Sequence, residues 1–381
     1  MISKFRAPLA SGLGVLLLSA TAAVPAYPLQ PSGPPVAVGL DNPKGLAFGP
    51  DGSLYVAEAG HGGPGACIKN PENQDVCFGQ TGAVTQIRKG VQRRIVSGLP
   101  SLAGAAGFAA TGPHDVSAVG NGALLVPIGL GSDPAATATG GALARSGLGT
   151  LIRVEGRSGR WKALADLGAY EGSVNPDRGT PDTNPFGVLA LPGRNLVADA
   201  GANALLEVTA SGKVSTRAIF PNQLVDAPPF MQLPPGTKIP MQAVPTAVAQ
   251  ARNGDLYVSR LTGFPFPVGE ARVVVIRGAG IVRAITGFTN VVDLTFGPDG
   301  YLYVVELSQS GLITGQMDGA VWRVNTQADS KTDAETPAQL VANVQAPGGA
   351  AFGKDGDLYV TAGTILPTSA GGGVVLKFDM P

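Results

Sequence analysis

Charge is scarce in this chain. Only 14% of its 381 residues are charged, and Lys plus Arg balance Asp plus Glu at 27 each. With no net charge, no long-range field draws the protein onto nucleic acid or an anionic bilayer, and both are disfavoured as partners. The two cysteines, Cys67 and Cys77, lie close together in a Gly/Pro/Asn-rich segment. C-x9-C without a neighbouring ligand cluster makes a poor zinc site. In an exported protein such a local pair reads as a disulfide clamping one loop, two free thiols being the cytosolic alternative.

Catalytic signatures are missing too. No Gly-x-Ser-x-Gly elbow and no complete Ser/His/Asp order is present. Gly371-Gly372-Gly373 lacks the strand-to-helix setting that cradles phosphate.

The N-terminus does carry a message. Lys4 and Arg6 precede an apolar stretch over residues 9–23, and Val24-Pro25-Ala26 follows with small residues. That order predicts a secretory signal peptide over residues 1–26, a mature domain over 27–381, and secretion to the periplasm or beyond the cell. Ser11, Gly12, Gly14, Ser19 and Thr21 interrupt the run, leaving it short for a membrane anchor, and no later segment could span a bilayer.

Gly 55 and Pro 32 are plentiful, which suits many short strands joined by tight turns. One pattern recurs. Pro43-Lys44-Gly45-Leu46-Ala47-Phe48-Gly49-Pro50-Asp51-Gly52-Ser53-Leu54-Tyr55-Val56-Ala57-Glu58 is echoed over residues 292–306 and 350–361. Weaker copies span residues 116–128, 188–199 and 248–260, making six. Each is an apolar strand, a Gly-containing turn, then a β-branched and aromatic strand. Third strands follow at residues 82–87, 149–154, 204–208, 271–276, 319–324 and 372–378. Fourth strands come next, as at residues 94–96, 281–285 and 339–344. Four antiparallel strands repeated radially predict an all-β fold, a six-bladed β-propeller.

The sixth copy runs out of chain before its fourth strand. A surplus strand at residues 36–40, placed before the first copy, resembles residues 95–99. It is expected to complete the last blade and remove two open sheet edges.

If first strands descend the channel, the long insertions at residues 60–81, 131–148, 170–184, 221–242 and 308–318 gather on one end, the top. Long loops on a rigid scaffold are where function concentrates. Glu58, Asp199, Arg260 and Glu306 close second strands at that end, and Lys44, His114, Asp115, Asn184 and Asp293 open first strands. Together they are the expected binding residues at the channel mouth. Glu58, Asn184, Asp199 and Glu306 are the metal candidates, because hard cations need convergent oxygens, and Ca2+ is the cofactor they would suit. Cross-blade pairing is the competing use of such groups, Arg260 with Glu306 for instance. His114 is the one candidate general base or ligand, against a role as a hydrogen-bonded channel residue. His61, the other histidine, sits in a Gly-rich loop.

The runs at residues 40–52 and 54–60, Gly112-Pro113-His114-Asp115, Asn184-Pro185-Phe186-Gly187 and Val197-Ala198-Asp199-Ala200-Gly201-Ala202-Asn203 resemble the ScyD/ScyE family, in blade order from about residue 36 to 378. That resemblance implies an exported propeller with no established reaction. Blade three also resembles an NHL-type repeat through Asp199 and Asn203, and the fold is more distantly similar to the gluconolactonase and regucalcin group. The leading expectation is a non-catalytic propeller that binds a protein or small molecule on its top face. The rival is a calcium-dependent lactonase or esterase.

Overall fold

The computed structural model describes residues 28–138, 143–155 and 158–381. The expected signal segment, residues 1–26, lies outside the described residues. Six antiparallel sheets follow one another along the chain, each a meander from a first strand near the axis to a fourth at the rim. Blade one runs through Pro43–Phe48, Leu54–Glu58, Asp75–Arg88 and Val91–Ala103. Blade two has Ser117–Val119, Ala123–Ile128, Thr150–Glu155 and Trp161–Asp166; blade three has Pro185–Leu191, Arg194–Asp199, Ala204–Thr209 and Val214–Ile219. Blade four comprises Pro245–Gln250, Leu256–Arg260, Ala271–Arg277 and Gly280–Phe288, and blade five Val291–Phe296, Leu302–Glu306, Asp318–Val324 and Gln339–Gln345.

Blade six has only Ala350–Phe352, Leu358–Ala362 and Gly373–Phe378 of its own. Its fourth strand is Ala37–Leu40, which pairs antiparallel with Gly373–Phe378, Ala37 opposite Val375 and Leu40 opposite Gly373. The expected closure is therefore present.

The repeated motif has a structural cause. In blade five, the amide of Gly300 donates to the Gly297 carbonyl, and Gly297 donates to Tyr301 across the hairpin. Gly300 has φ +81°, a left-handed conformation that a side chain would strain. The Tyr303 ring lies over Gly297, where a Cβ would be 2.5 Å from the ring edge. The Tyr303 hydroxyl donates to the turn residue Asp299, 3.0 Å away. The same ring meets Phe352 of the next blade edge-on at 4.7 Å. Tyr257 meets Phe296 in the same way, and Tyr359 meets Phe48 across the closing seam. Such rings thus join blade four to five, five to six and six to one, worth about 0.5–1.5 kcal/mol per ring pair beyond area burial.

The core lies between the sheets. Second strands such as Leu54–Glu58 and Leu302–Glu306 are buried at every residue because both faces meet a neighbouring blade. At the seam, Ala37, Leu40 and Val375 pack with Leu46, Leu54, Val56 and Ile87 of blade one.

Three features were not foreseen. The strands Asp75–Arg88 and Val91–Ala103 extend past the sheet as a long hairpin, to which Cys67–Lys69 adds an extra strand. Cys67 faces Cys77 there, and the two form the expected disulfide. Residues 221–242 hold a hairpin, Gln223–Asp226 with Lys238–Met241, and a helix, Leu167–Val174, rises above blade three.

Leu40 is fully buried at the seam. Leu40→Ala is expected to lower unfolding stability by about 2–5 kcal/mol in a urea titration, the usual cost of such a cavity. A loss below about 1 kcal/mol would show that the N-terminal strand does not hold the ring shut.

Candidate functional site

Of the nine expected binding residues, the four that close second strands are engaged there by neighbouring groups. The Glu58 carboxylate accepts from the Asp41 amide at 2.8 Å, the Thr85 hydroxyl at 2.6 Å and Arg94 at 3.0 and 2.6 Å. Glu306 accepts from the Thr289 amide and the Trp322 indole, each at 2.8 Å, and pairs with Lys331 at 2.9 Å. Asp199 accepts from the Thr183 hydroxyl at 2.6 Å and the Asn184 amide at 2.7 Å. All three carboxylates are fully buried.

They therefore do the same job in three blades: each captures an amide at the entry to its own first strand. Glu58 and Glu306 also reach outward to the third and fourth strands and the loop between them, away from the axis. The expected meeting of Glu58, Asn184, Asp199 and Glu306 around one metal does not occur. Among the described residues, no three His, Cys, Asp or Glu side chains come together to hold a metal ion. The expected Arg260–Glu306 pair is also absent. Arg260 donates instead to Gln223 of the inserted hairpin at 3.1 Å, and burial, then the Arg272 charge, push its pKa down to about 10.

The other five residues do gather near the axis. Asp115 of blade two accepts from its own Val116 amide at 2.7 Å and from Val188 of blade three at 2.8 Å. Asp293 of blade five does the same with Leu294 and with Ala350 of blade six, both at 2.8 Å. Each aspartate staples its blade to the next. Gly45 and Gly349 leave room for them, since a Cβ on Gly45 would lie 2.1 Å from an Asp115 oxygen. Burial and the facing Asp293 charge raise the Asp115 pKa well above the carboxylate range, and burial pushes Asp293 up to about 7.

Lys44 is buried, donates to the Thr364 carbonyl at 3.0 Å, and is pushed down to about 8 by that burial. His114 is buried, with Nδ1 3.0 Å from the Pro185 carbonyl, so Nδ1 carries the proton and Nε2 is the acceptor. Burial and the Lys44 charge push His114 down to about 3, so the ring is neutral. It lies 4.5 Å from the Phe186 ring. Asn184 comes close beside it: a Cβ on Gly129 would lie 2.3 Å from His114 Cε1 and 2.5 Å from Asn184 Oδ1. His61 is elsewhere, paired with Asp41 at 2.5 Å.

Above Asn184 the top loops enclose a cavity of about 830 Å³. Its lining includes polar residues, Asp133, Asp182 and Asn184 among them, and apolar ones, Phe264, Phe266 and Leu312 among them. Its lining comes from loops at residues 69–72, 131–133, 180–184, 200–201, 242–244, 261–266 and 312, so most of the expected top-face insertions do meet. The aromatic part of the lining was missed. Its signal was present in Phe264-Pro265-Phe266-Pro267, a local concentration of aromatics in a chain with only 13 Phe.

No known protein family matches the chain, and no curated protein matches it in sequence. Solved structures do share its fold. An α-L-arabinanase from Penicillium chrysogenum complexed with arabinobiose is similar over 91% of this chain and 97% of its own, with TM-score 0.52 and 10% identity. A calcium-binding protein, regucalcin, from Agrobacterium tumefaciens covers 93% and 95%, with TM-score 0.47 and 14% identity. A catalytically inactive virginiamycin B lyase from Staphylococcus aureus with quinupristin covers 87% and 80%, with TM-score 0.46 and 14% identity. At such identities the likeness concerns fold alone; the count of six blades comes from the chain's own sheets.

The axial aspartates generate a pH dependence. Because they hold protons more tightly folded than unfolded, their contribution is fully present below about pH 4 and is lost as pH rises through about 7. The stability of the wild type relative to Asp293→Asn, from urea unfolding at stepped pH, is expected to fall across that window. A relative stability that stays level or rises would mean the pair is ionised in the fold.

Proposed function

We propose that this chain is an exported binding propeller of the ScyD/ScyE type that holds a small ligand in its top-face cavity without transforming it. The cavity of about 830 Å³ carries the reading. Its size suits a small molecule, and its mixed lining suits one that carries both an apolar group and a cationic or hydrogen-bond-donating one. The family assignment rests on the sequence runs in blade order. Export is supported by the Cys67–Cys77 disulfide, which fits an oxidising compartment.

The calcium-dependent hydrolase reading has less support. Three of its four expected ligands are engaged within their own blades. It would have to rely on His114 and Asn184, with a metal held some other way.

Screening a small-molecule library by thermal shift tests the proposal. Phe264 is 45% exposed, so Phe264→Ala is expected to leave the unfolding temperature unchanged. It should weaken the ligands found with wild type by about tenfold, near 1.4 kcal/mol. Ligands indifferent to that substitution would place binding elsewhere. Turnover of a lactone or ester that disappears in His114→Gln would replace the binding reading with the hydrolase.

A further inference from the structure

We infer that the loop above blade three holds a divalent cation of the calcium type, bound by Glu171, Asn175 and Asp182. This site is separate from the expected metal set and does not depend on the ligand proposed for the cavity.

The first observation is a concentration of unmatched oxygens. Among the described residues, eight buried side-chain polar atoms lack a hydrogen-bond partner, and five of them are acceptor oxygens within residues 171–184. They are both oxygens of Glu171 and the Oδ1 atoms of Asn175, Asp182 and Asn184. Buried polar atoms are nearly always paired, and a group of orphans of one kind calls for an unseen partner. Acceptors can be satisfied only by a proton, a water or a cation.

The second observation is where Glu171 points. It lies on the helix Leu167–Val174, is only 2% exposed, and turns inward instead of to solvent. The charges acting on it come from Asp199, Asp177 and Asp182, eased only by the Asp182 backbone amide, which stands near without reaching hydrogen-bond geometry; those acting on Asp182 come from Asp199, Glu72, Asp133 and Asp177. All of these charges are acidic. Asp199 and Asp177 already have donors, from Thr183 and from Gly179 and Asn203. Glu171 and Asp182 are left to share whatever enters.

Asn175 lies one turn beyond Glu171 and caps the helix in a left-handed conformation. Its amide nitrogen donates to the Gly179 carbonyl, leaving Oδ1 over. Two carboxylates, an amide oxygen and waters form a flexible all-oxygen set, which suits calcium better than the rigid octahedron of magnesium. The third carboxylate of a tighter cage is missing, so affinity should be modest. A cation here would pin residues 175–184, which include Asp182 and Asn184 of the cavity wall.

Terbium luminescence and thermal unfolding of the purified protein test this without any cavity ligand. Direct excitation of terbium reports binding without need of a neighbouring ring. The expected result is a terbium signal displaced by calcium, and unfolding raised by at least about 3 °C in millimolar calcium over chelator. Glu171→Gln and Asp182→Asn should each weaken calcium at least about tenfold, the loss of one charged ligand. Without calcium both variants should unfold no lower than wild type, because each removes an unpaired buried charge. Absence of both signals in the wild type overturns the site. So does calcium binding that survives either substitution, and so does a stabilised Glu171→Gln in a protein that binds no cation, which would mean a proton occupies the place.

Discussion

The whole molecule depends on burying both faces of every sheet against its neighbours around a closed circle. A single four-stranded sheet here cannot do that alone, because its second strand is apolar on both sides. Closure is what supplies the missing neighbour. The circle is completed by four residues, Ala37–Leu40, hydrogen-bonded to the last strand of the chain. Around that seam the aromatic contact between Tyr359 and Phe48 repeats the one found between blades five and six. The first and last described strands are thereby held in one sheet, and blade six gains its fourth strand.

The same requirement consumes most of the polar residues near the axis. Glu58, Asp199 and Glu306 stand at equivalent positions and are spent on anchoring the entries to first strands. Asp115 and Asp293 are spent on joining blade two to three and five to six. A buried carboxylate is tolerated only where donors meet it, and these are met by backbone amides that a propeller cannot otherwise satisfy. Function is left to the loops, where chemistry is not dictated by closure. The cavity and the unmatched oxygens near Glu171 are both found there.

Much of this was legible in the residues. The Phe-Gly-x-Asp-Gly-x-Leu-Tyr copies could be counted because each residue in them has a local job, such as Gly300 in its turn or Tyr303 over Gly297. The weaker copies keep only part of this: blade four retains the turn, with Gly254 at φ +90°, whereas blade two replaces it with a short 3-10 segment, Gly120–Gly122. Proline at 43, 185 and 245 opens first strands opposite Glu58, Asp199 and Arg260, where the end of the ladder tolerates a missing donor. Nine residues were expected around the channel mouth; Lys44, His114, Asp115, Asn184 and Asp293 lie near the axis, and ligand binding by any of them belongs to the proposed function. The metal set failed because strand order told which end each residue occupies but not which way its side chain turns.

The sequence by itself determined the blade count, the turn chemistry and the donated strand, since these depend on contacts between residues close in the chain or on a period that can be read directly. Only the tertiary structure decided which carboxylates are occupied and which are left over. Arg94 reaching Glu58, Lys331 reaching Glu306 and Asp182 standing beside Glu171 are meetings across loops of differing length. No periodicity encodes them, because the geometry of those loops is set by packing on the finished ring.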